Sequence, residues 1–169
     1  TARYASVLAL LFEKTGDPEA LERAFRSFNW ASYGCRQDGL VKTSLDEGTG
    51  YWFSDGYGDY MRHFLRGMAS VPQWAPVQEN HLLRSNSIVR SIHYGPEKIV
   101  YTTYDSASEE IFKLARRPRQ VRLSEDVLYC VDIPKPSDNG FTVKPVERGG
   151  FEVTIQHNKT GQIAIFMDP

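Results

Sequence analysis

Apolar residues recur at helical spacing in the first half of the chain and at every second position in the rest. Tyr4, Val7, Leu8 and Leu11 stand at i, i+3, i+4 and i+7, which predicts a helix with this stripe toward the core, closing at Thr15-Gly16. Asp17-Pro18-Glu19 restarts a helix: aspartate caps the orphan amides, proline at the first position has no amide to waste, and glutamate complements the positive end. Leu21, Ala24, Phe25, Phe28 and Ala31 form the apolar face of this second helix. So short a connection makes the two an antiparallel hairpin. Gly34 and the Asp38-Gly39 turn end the unit. A third helix is predicted from Ser54 or Asp55, with Tyr57, Met61, Phe64, Leu65 and Met68 on one face, ending before Pro72. The stretch PQWAPVQENHLL reads as a linker lying against the helices through Trp74.

From about Arg84 the period is two. Strands are predicted at 87–94, 98–104, 109–114, 120–123, 127–131, 141–146, 151–156 and 162–166, separated by Gly, Pro, Asn, Asp and Ser turns. Short strands without intervening helices give an antiparallel sandwich. The expected fold is therefore α+β. A helical segment (antiparallel hairpin plus one further helix) occupies 1–83, and a β-sandwich of about eight antiparallel strands occupies 84–169.

The totals narrow the function classes. The chain has 169 residues, 41% of them hydrophobic, enough for one substantial core or two small ones in a soluble globular protein. Twenty basic and twenty-one acidic residues leave a net charge of -1 with no long run of either sign, so no nucleic-acid or anionic-membrane partner is expected. Arg116-Arg117-Pro118-Arg119 reads as a solvated loop between strands. No apolar run approaches the roughly 20 residues that cross a bilayer, and no signal peptide is visible. The chain opens at Thr1 inside a helical pattern, which suggests an excised domain or a processed product. Cys35 and Cys130 lack metal-ligand spacing and read as two free buried thiols; no metal or cofactor is expected. The sequon Asn158-Lys159-Thr160 fits a turn between strands better than it argues for secretion.

Candidate chemistry gathers around YWFSDGYGDYMRHF, residues 51–64. Asp55 and Asp59 share a helix face one turn apart, on one wall of any cleft, whereas glycoside hydrolysis usually needs carboxyls on opposite sides of the sugar. Asp55 also stands where a cap is expected. Asp59 and His63 have the spacing at which an acid orients an imidazole, as half of a general acid–base device or as a structural ion pair. Glu79 and His81 offer an acid and an imidazole in a loop, or hydrogen bonds at the domain junction. Trp30, Trp52 and Trp74, with Tyr33, Tyr51 and Tyr57, supply rings on which sugars stack, or fill an internal interface. His93 and His157 read as strand-surface residues.

The phrasing LALLFEKTGDPEALERAFRSFNWASY, the aromatic-acidic helix after it, and IVRSIHYGPEKIVYTTYDSASEEIFKLARRPRQVRLSEDVL together resemble the end of bacterial (α/α)-barrel carbohydrate-active proteins, the six-hairpin glycosidase-like group. The resemblance implies helical hairpins closing a toroid, then an appended β-sandwich. A toroid needs many more helices than three, so the chain is expected to be its last part, a C-terminal region in structural support with a share in saccharide binding. On its own it is expected to be inactive, within a parent glycoside hydrolase or polysaccharide lyase, in the periplasm or secreted. Its partners would then be a saccharide and the rest of the parent polypeptide. Asp55, Asp59 and His63 are the candidates for any catalytic contribution, and Trp52, Tyr57, Glu79 and His81 for substrate binding. The alternative is a free-standing module that binds carbohydrate or protein through the sandwich without catalysis. It would use an aromatic strip drawn from Tyr94, Tyr101 and Tyr104, although Tyr101 and Tyr104 have opposite parity. A complete small hydrolase would need a nucleophile–base pair, and none is recognisable in the sequence.

Overall fold

A computed structural model describes residues 1–35, 37, 56–132 and 139–168, the side chains of 56–59 excepted. The chain divides into two compact units, Thr1–Trp74 and Ala75–Pro169. Trp52, Asp55 and the Asp38-Gly39 turn lie outside the described residues.

The first unit is helical: α1 (Ala2–Thr15), α2 (Pro18–Ser32), α3 (Gly56–Ser70) and a 3-10 turn at Pro72–Trp74. The predicted punctuation operates as chemistry requires. Gly16 takes the left-handed conformation (φ 71°) that lets its N–H reach Phe12 O at 2.8 Å, and the Asp17 carboxylate accepts the Glu19 N–H at 2.9 Å. Helix α1 packs on both α2 and α3. At the centre stands Phe28, edge-on to Phe64 (centroids 5.5 Å) and to Trp74 (5.8 Å). Gly67 admits this ring, since a Cβ there would lie 2.5 Å from Phe28 Cε2.

The faces of α1 are a correction to the periodicity. Its buried side is Ala5, Ser6 and Ala9, whereas Tyr4, Val7 and Leu11 of the expected core stripe are 53%, 60% and 43% exposed. Small residues let helix backbones approach closely, and that contact took the alanine face rather than the bulkier one. In α3 likewise His63 and Gly67 are buried and Leu65 is exposed.

The second unit is β: β1 (His81–Ser85), β2 (Val89–Tyr94), β3 (Lys98–Thr103), β4 (Ser108–Leu114), β5 (Pro118–Leu123), β6 (Asp126–Cys130), β7 (Gly140–Pro145), β8 (Phe151–His157) and β9 (Gln162–Met167). The strands form one sheet in the order β1-β4-β8-β7-β6-β5-β9-β3-β2, antiparallel except between β6 and β7. It doubles over a single core built from alternate residues of both halves, including Ile99, Phe112, Val121, Ile155, Ile163 and Ile165. The protein is thus α+β, helices first and a nearly closed, mostly antiparallel sheet second. The ninth strand, β1, lies in the stretch expected to be a linker. A bulge between Leu82 and Arg84 breaks its two-residue period, which hides it from pattern reading. At the seam between the two ends of the sheet, the Leu82 N–H donates to the Tyr94 hydroxyl at 3.1 Å. Cys35 and Cys130 are free, as expected, but exposed rather than buried.

Lys113 faces outward from β4 yet is fully buried. Its Nζ donates to Pro76 O (2.7 Å) and Val77 O (2.8 Å), fastening the segment before β1 to the sheet. Burial pulls this amine below its ordinary value, with nearby Glu79 opposing the shift. Gly150, at φ 82°, leaves it room: a Cβ there would lie 2.5 Å from Leu114 O and 2.9 Å from Lys113 Cε. Gly150→Ala therefore combines backbone strain with a clash and should cost about 2–4 kcal/mol. Gly16→Ala, in open space at φ 71°, should cost about 1 kcal/mol. Denaturant unfolding of the two variants beside the parent chain measures the difference.

Candidate functional site

Pairing of β4 with β8 sets Ser108 directly opposite His157, with Glu110 two residues further along β4 on the same inner face. Tyr101 reaches the same point from β3. Ser108 donates to Glu110 Oε1 at 2.6 Å, Tyr101 donates to Glu110 Oε2 at 2.9 Å, and His157 Nε2 lies 2.8 Å from Ser108 Oγ and 3.4 Å from Glu110 Oε2. Ser85 Oγ on β1 stands 3.3 Å from Glu110 Oε1. The histidine and glutamate side chains are wholly shut from solvent.

The proton positions follow from the partners. His157 Nδ1 faces two carbonyls, Ser106 O at 3.0 Å and Lys159 O at 3.1 Å, which can only accept, so Nδ1 carries a proton. Ser108 gives its only proton to Glu110 and must accept from Nε2–H. The ring is therefore an imidazolium beside a carboxylate. Burial is the largest influence on each and works against the charge, but hydrogen bonds outweigh it. Those from His157, Ser108 and Tyr101 hold Glu110 below 4.5, while Glu110 and the two carbonyls hold His157 above 6.5. Burial, then Glu110, pushes the Tyr101 hydroxyl well above 10.

Serine, histidine and glutamate in contact invite comparison with a nucleophilic triad, and the geometry answers it. In a triad the carboxylate grips the ring nitrogen remote from the serine, leaving the near one free to take the serine proton. Here serine and glutamate share Nε2, that nitrogen is already protonated, and substrate has no access. The cluster holds charge inside the sheet and is not set up for acyl transfer.

The sequence candidates are distributed as follows. His63 is buried on α3 and tied to α1: Ser6 Oγ donates to Arg3 O at 2.9 Å and lies 2.9 Å from His63 Nδ1, which is therefore the donor between the two. Asp59 and Tyr57 lie on α3, with their side chains outside the described residues, as are Asp55 and Trp52 altogether. In the second unit Glu79 Oε2 approaches His81 Nε2 at 3.4 Å at a largely exposed carboxylate. Trp30 is exposed, edge-on to Tyr33 at 6.1 Å. Tyr101 is buried and Tyr104 exposed, as their parity demands, and Arg90 lies over the Tyr104 ring at 4.7 Å. His93 is exposed on its strand, but His157 is a core residue and not a surface one.

Sequence reasoning missed Ser108, Glu110, Tyr101 and His157 as a group. The signal was present: Glu110 is in phase with Phe112 and Leu114, and His157 with Val153 and Ile155, so both alternate into the core. Among the described residues no three His, Cys, Asp or Glu side chains gather to hold a metal, and no helix is long and apolar enough to cross a membrane. No protein-family model, curated protein or solved structure matches the chain.

The pair makes stability depend on pH in both directions. A depressed Glu110 contributes fully above 4.5 and loses its contribution as pH falls through its folded value; a raised His157 contributes fully below 6.5 and loses its contribution as pH rises through its own. The pair's contribution should be greatest between about pH 4.5 and 6.5. Glu110→Gln and His157→Gln, each leaving one buried charge uncompensated, should each cost about 3–5 kcal/mol there. Urea unfolding of parent and variants from pH 3 to 9 checks this, and the gap to each variant should narrow at both extremes.

Proposed function

We propose that the chain is the C-terminal region of a carbohydrate-active protein built on helical hairpins, where it acts in structural support with a share in saccharide binding. The carbohydrate part of this reading rests on the resemblance described above. One observation of the fold carries the structural part: α1 bears large apolar side chains on a face that α2 and α3 leave uncovered. Its alanines, with Leu8 and Phe12 beside them, pack into the helical core, while Tyr4, Val7, Leu10 and Leu11 are left outward. Contiguous exposed apolar side chains of this kind mark a surface that packs against a further partner. Further hairpins of a parent polypeptide are a fitting cover, and the 169 residues then carry no complete catalytic site. The buried Ser108–His157–Glu110 cluster is consistent with this, since its proton is already placed and its atoms are closed to substrate.

The test is to assay the chain, and separately the product of the whole reading frame that contains it, on a panel of neutral and acidic polysaccharides for new reducing ends or unsaturated products. Activity is expected in the longer product and none in the chain. Turnover by the 169 residues alone would overturn the proposal, as would a reading frame with no further hairpins.

A further inference from the structure

The half of the sheet formed by β6, β5, β9, β3 and β2 has an outer face whose composition follows from register. Gln120 pairs with Phe166 and Phe166 with Lys98, while Val121 pairs with Leu128, which sets Tyr129 beside Gln120. One row across the face is therefore Tyr129, Gln120, Phe166 and Lys98. The next row, by the same pairings, is Val127, Arg122, Ala164, Val100 and His93. Neighbouring strands lie about 4.8 Å apart, so Tyr129 and Phe166, two strands apart, present rings about 10 Å from each other.

Three properties of this face point the same way. Its outward strand positions carry no carboxylate among the described residues, although the chain as a whole has a net charge of -1. The nearest acids stand at its rim, Glu97 before β3, Asp168 after β9 and Asp126 at the start of β6, the last 3.7 Å from Lys159. Arg122 is held in place on the face, its Nε donating to Gln120 Oε1 at 2.9 Å and its guanidinium 5.7 Å from the centre of the Phe166 ring. Tyr129 is 76% exposed, and Lys98 and His93 are exposed as well. A pre-positioned guanidinium recognises a planar carboxylate in two-point fashion, an exposed ring offers a face to the C–H surface of a sugar, and side-chain amides pair with hydroxyls.

We infer that this outer face binds an acidic saccharide, a polymer bearing carboxylated sugar rings, with Arg122 and Lys98 meeting its carboxylates and Tyr129 stacking on a ring. The inference rests on the saccharide share of the proposed function and names the chemical class it would take. Charge complementarity selects the occupant, since a neutral glycan would leave Arg122 and Lys98 without a counter-charge on a face that carries no carboxylate among the described residues.

The experiment uses the whole chain and measures binding by affinity electrophoresis and calorimetry with polygalacturonate, neutral dextran and single-stranded RNA as probes. Polygalacturonate should bind and dextran should bind at least tenfold more weakly. Arg122→Gln and Tyr129→Ala, both at surface positions, should each weaken polygalacturonate at least fivefold without shifting the thermal midpoint. Arg117→Gln, outside the two rows, should leave binding unchanged. Equal binding of dextran, equal or tighter binding of RNA, an Arg117→Gln loss matching that of Arg122→Gln, or no binding of polygalacturonate would each overturn the inference. None of those results bears on whether the chain alone is inactive, so the structural-support reading stands or falls separately by the turnover assay.

Discussion

A carboxylate and an imidazolium share the inside of the sheet, and the strands around them are tied together through that pair. Glu110 and His157 sit on adjacent strands, Tyr101 brings in β3, and the Nδ1 proton of the histidine draws in the carbonyls of two separate turns at Ser106 and Lys159. Apolar residues of similar volume often stabilise a core as well as an ion pair does, so stability alone is a weak reason for it. Register is a stronger one. Slipping β4 by one residue against β8 would turn Glu110 to the other face and leave a buried imidazolium with no counter-charge, a cost that a one-position slip of apolar residues would not impose so sharply. The pair thus distinguishes one alignment of the sheet from its neighbours.

Much of this fold was legible because local chemistry and global fold agree. Gly16, Asp17 and Pro18 announce the α1–α2 connection in side chains that serve only there, and eight strands emerged from alternation bounded by turn residues. The failures have physical causes. Periodicity reports that a helix has an apolar stripe, but not that a second, small-residue stripe will take the contact, as Ala5 and Ala9 do in α1. Strand β1 was concealed by its bulge. The cysteines were assigned by their usual habit of burial, and neither follows it. The candidate cluster was hidden by reading His157 as a strand-surface residue, when its phase with Val153 and Ile155 places it inside, and Glu110 drew no reading at all.

The two units use opposite strategies. The sheet buries most of its large aliphatic side chains within itself and mixes lysine, arginine, glutamine and threonine with a few apolar residues at its outer positions. The helices bury alanines, serines, a glycine and one histidine around Phe28, and leave Tyr4, Val7, Leu10, Leu11, Phe25, Trp30 and Leu65 outward. The sheet thus encloses one large core of its own, while the helical unit encloses a small one and exposes more of its apolar side chains. The structural role proposed above would place a packing partner on that exposed apolar face.

The seam between β1 and β2 has a consequence for motion. Where a closed barrel would run a ladder of backbone bonds, the two end strands meet through a tyrosine hydroxyl, and each carries a bulge. A bulged edge is a poor template for another strand, so the same irregularity that leaves the cylinder unzipped also guards it against pairing with a neighbouring molecule. Amides along this line have fewer partners to break before they meet water. Opening of the sheet would start there and meet the Tyr101–Glu110 bond, which joins the strands next in from each end, as its first side-chain barrier.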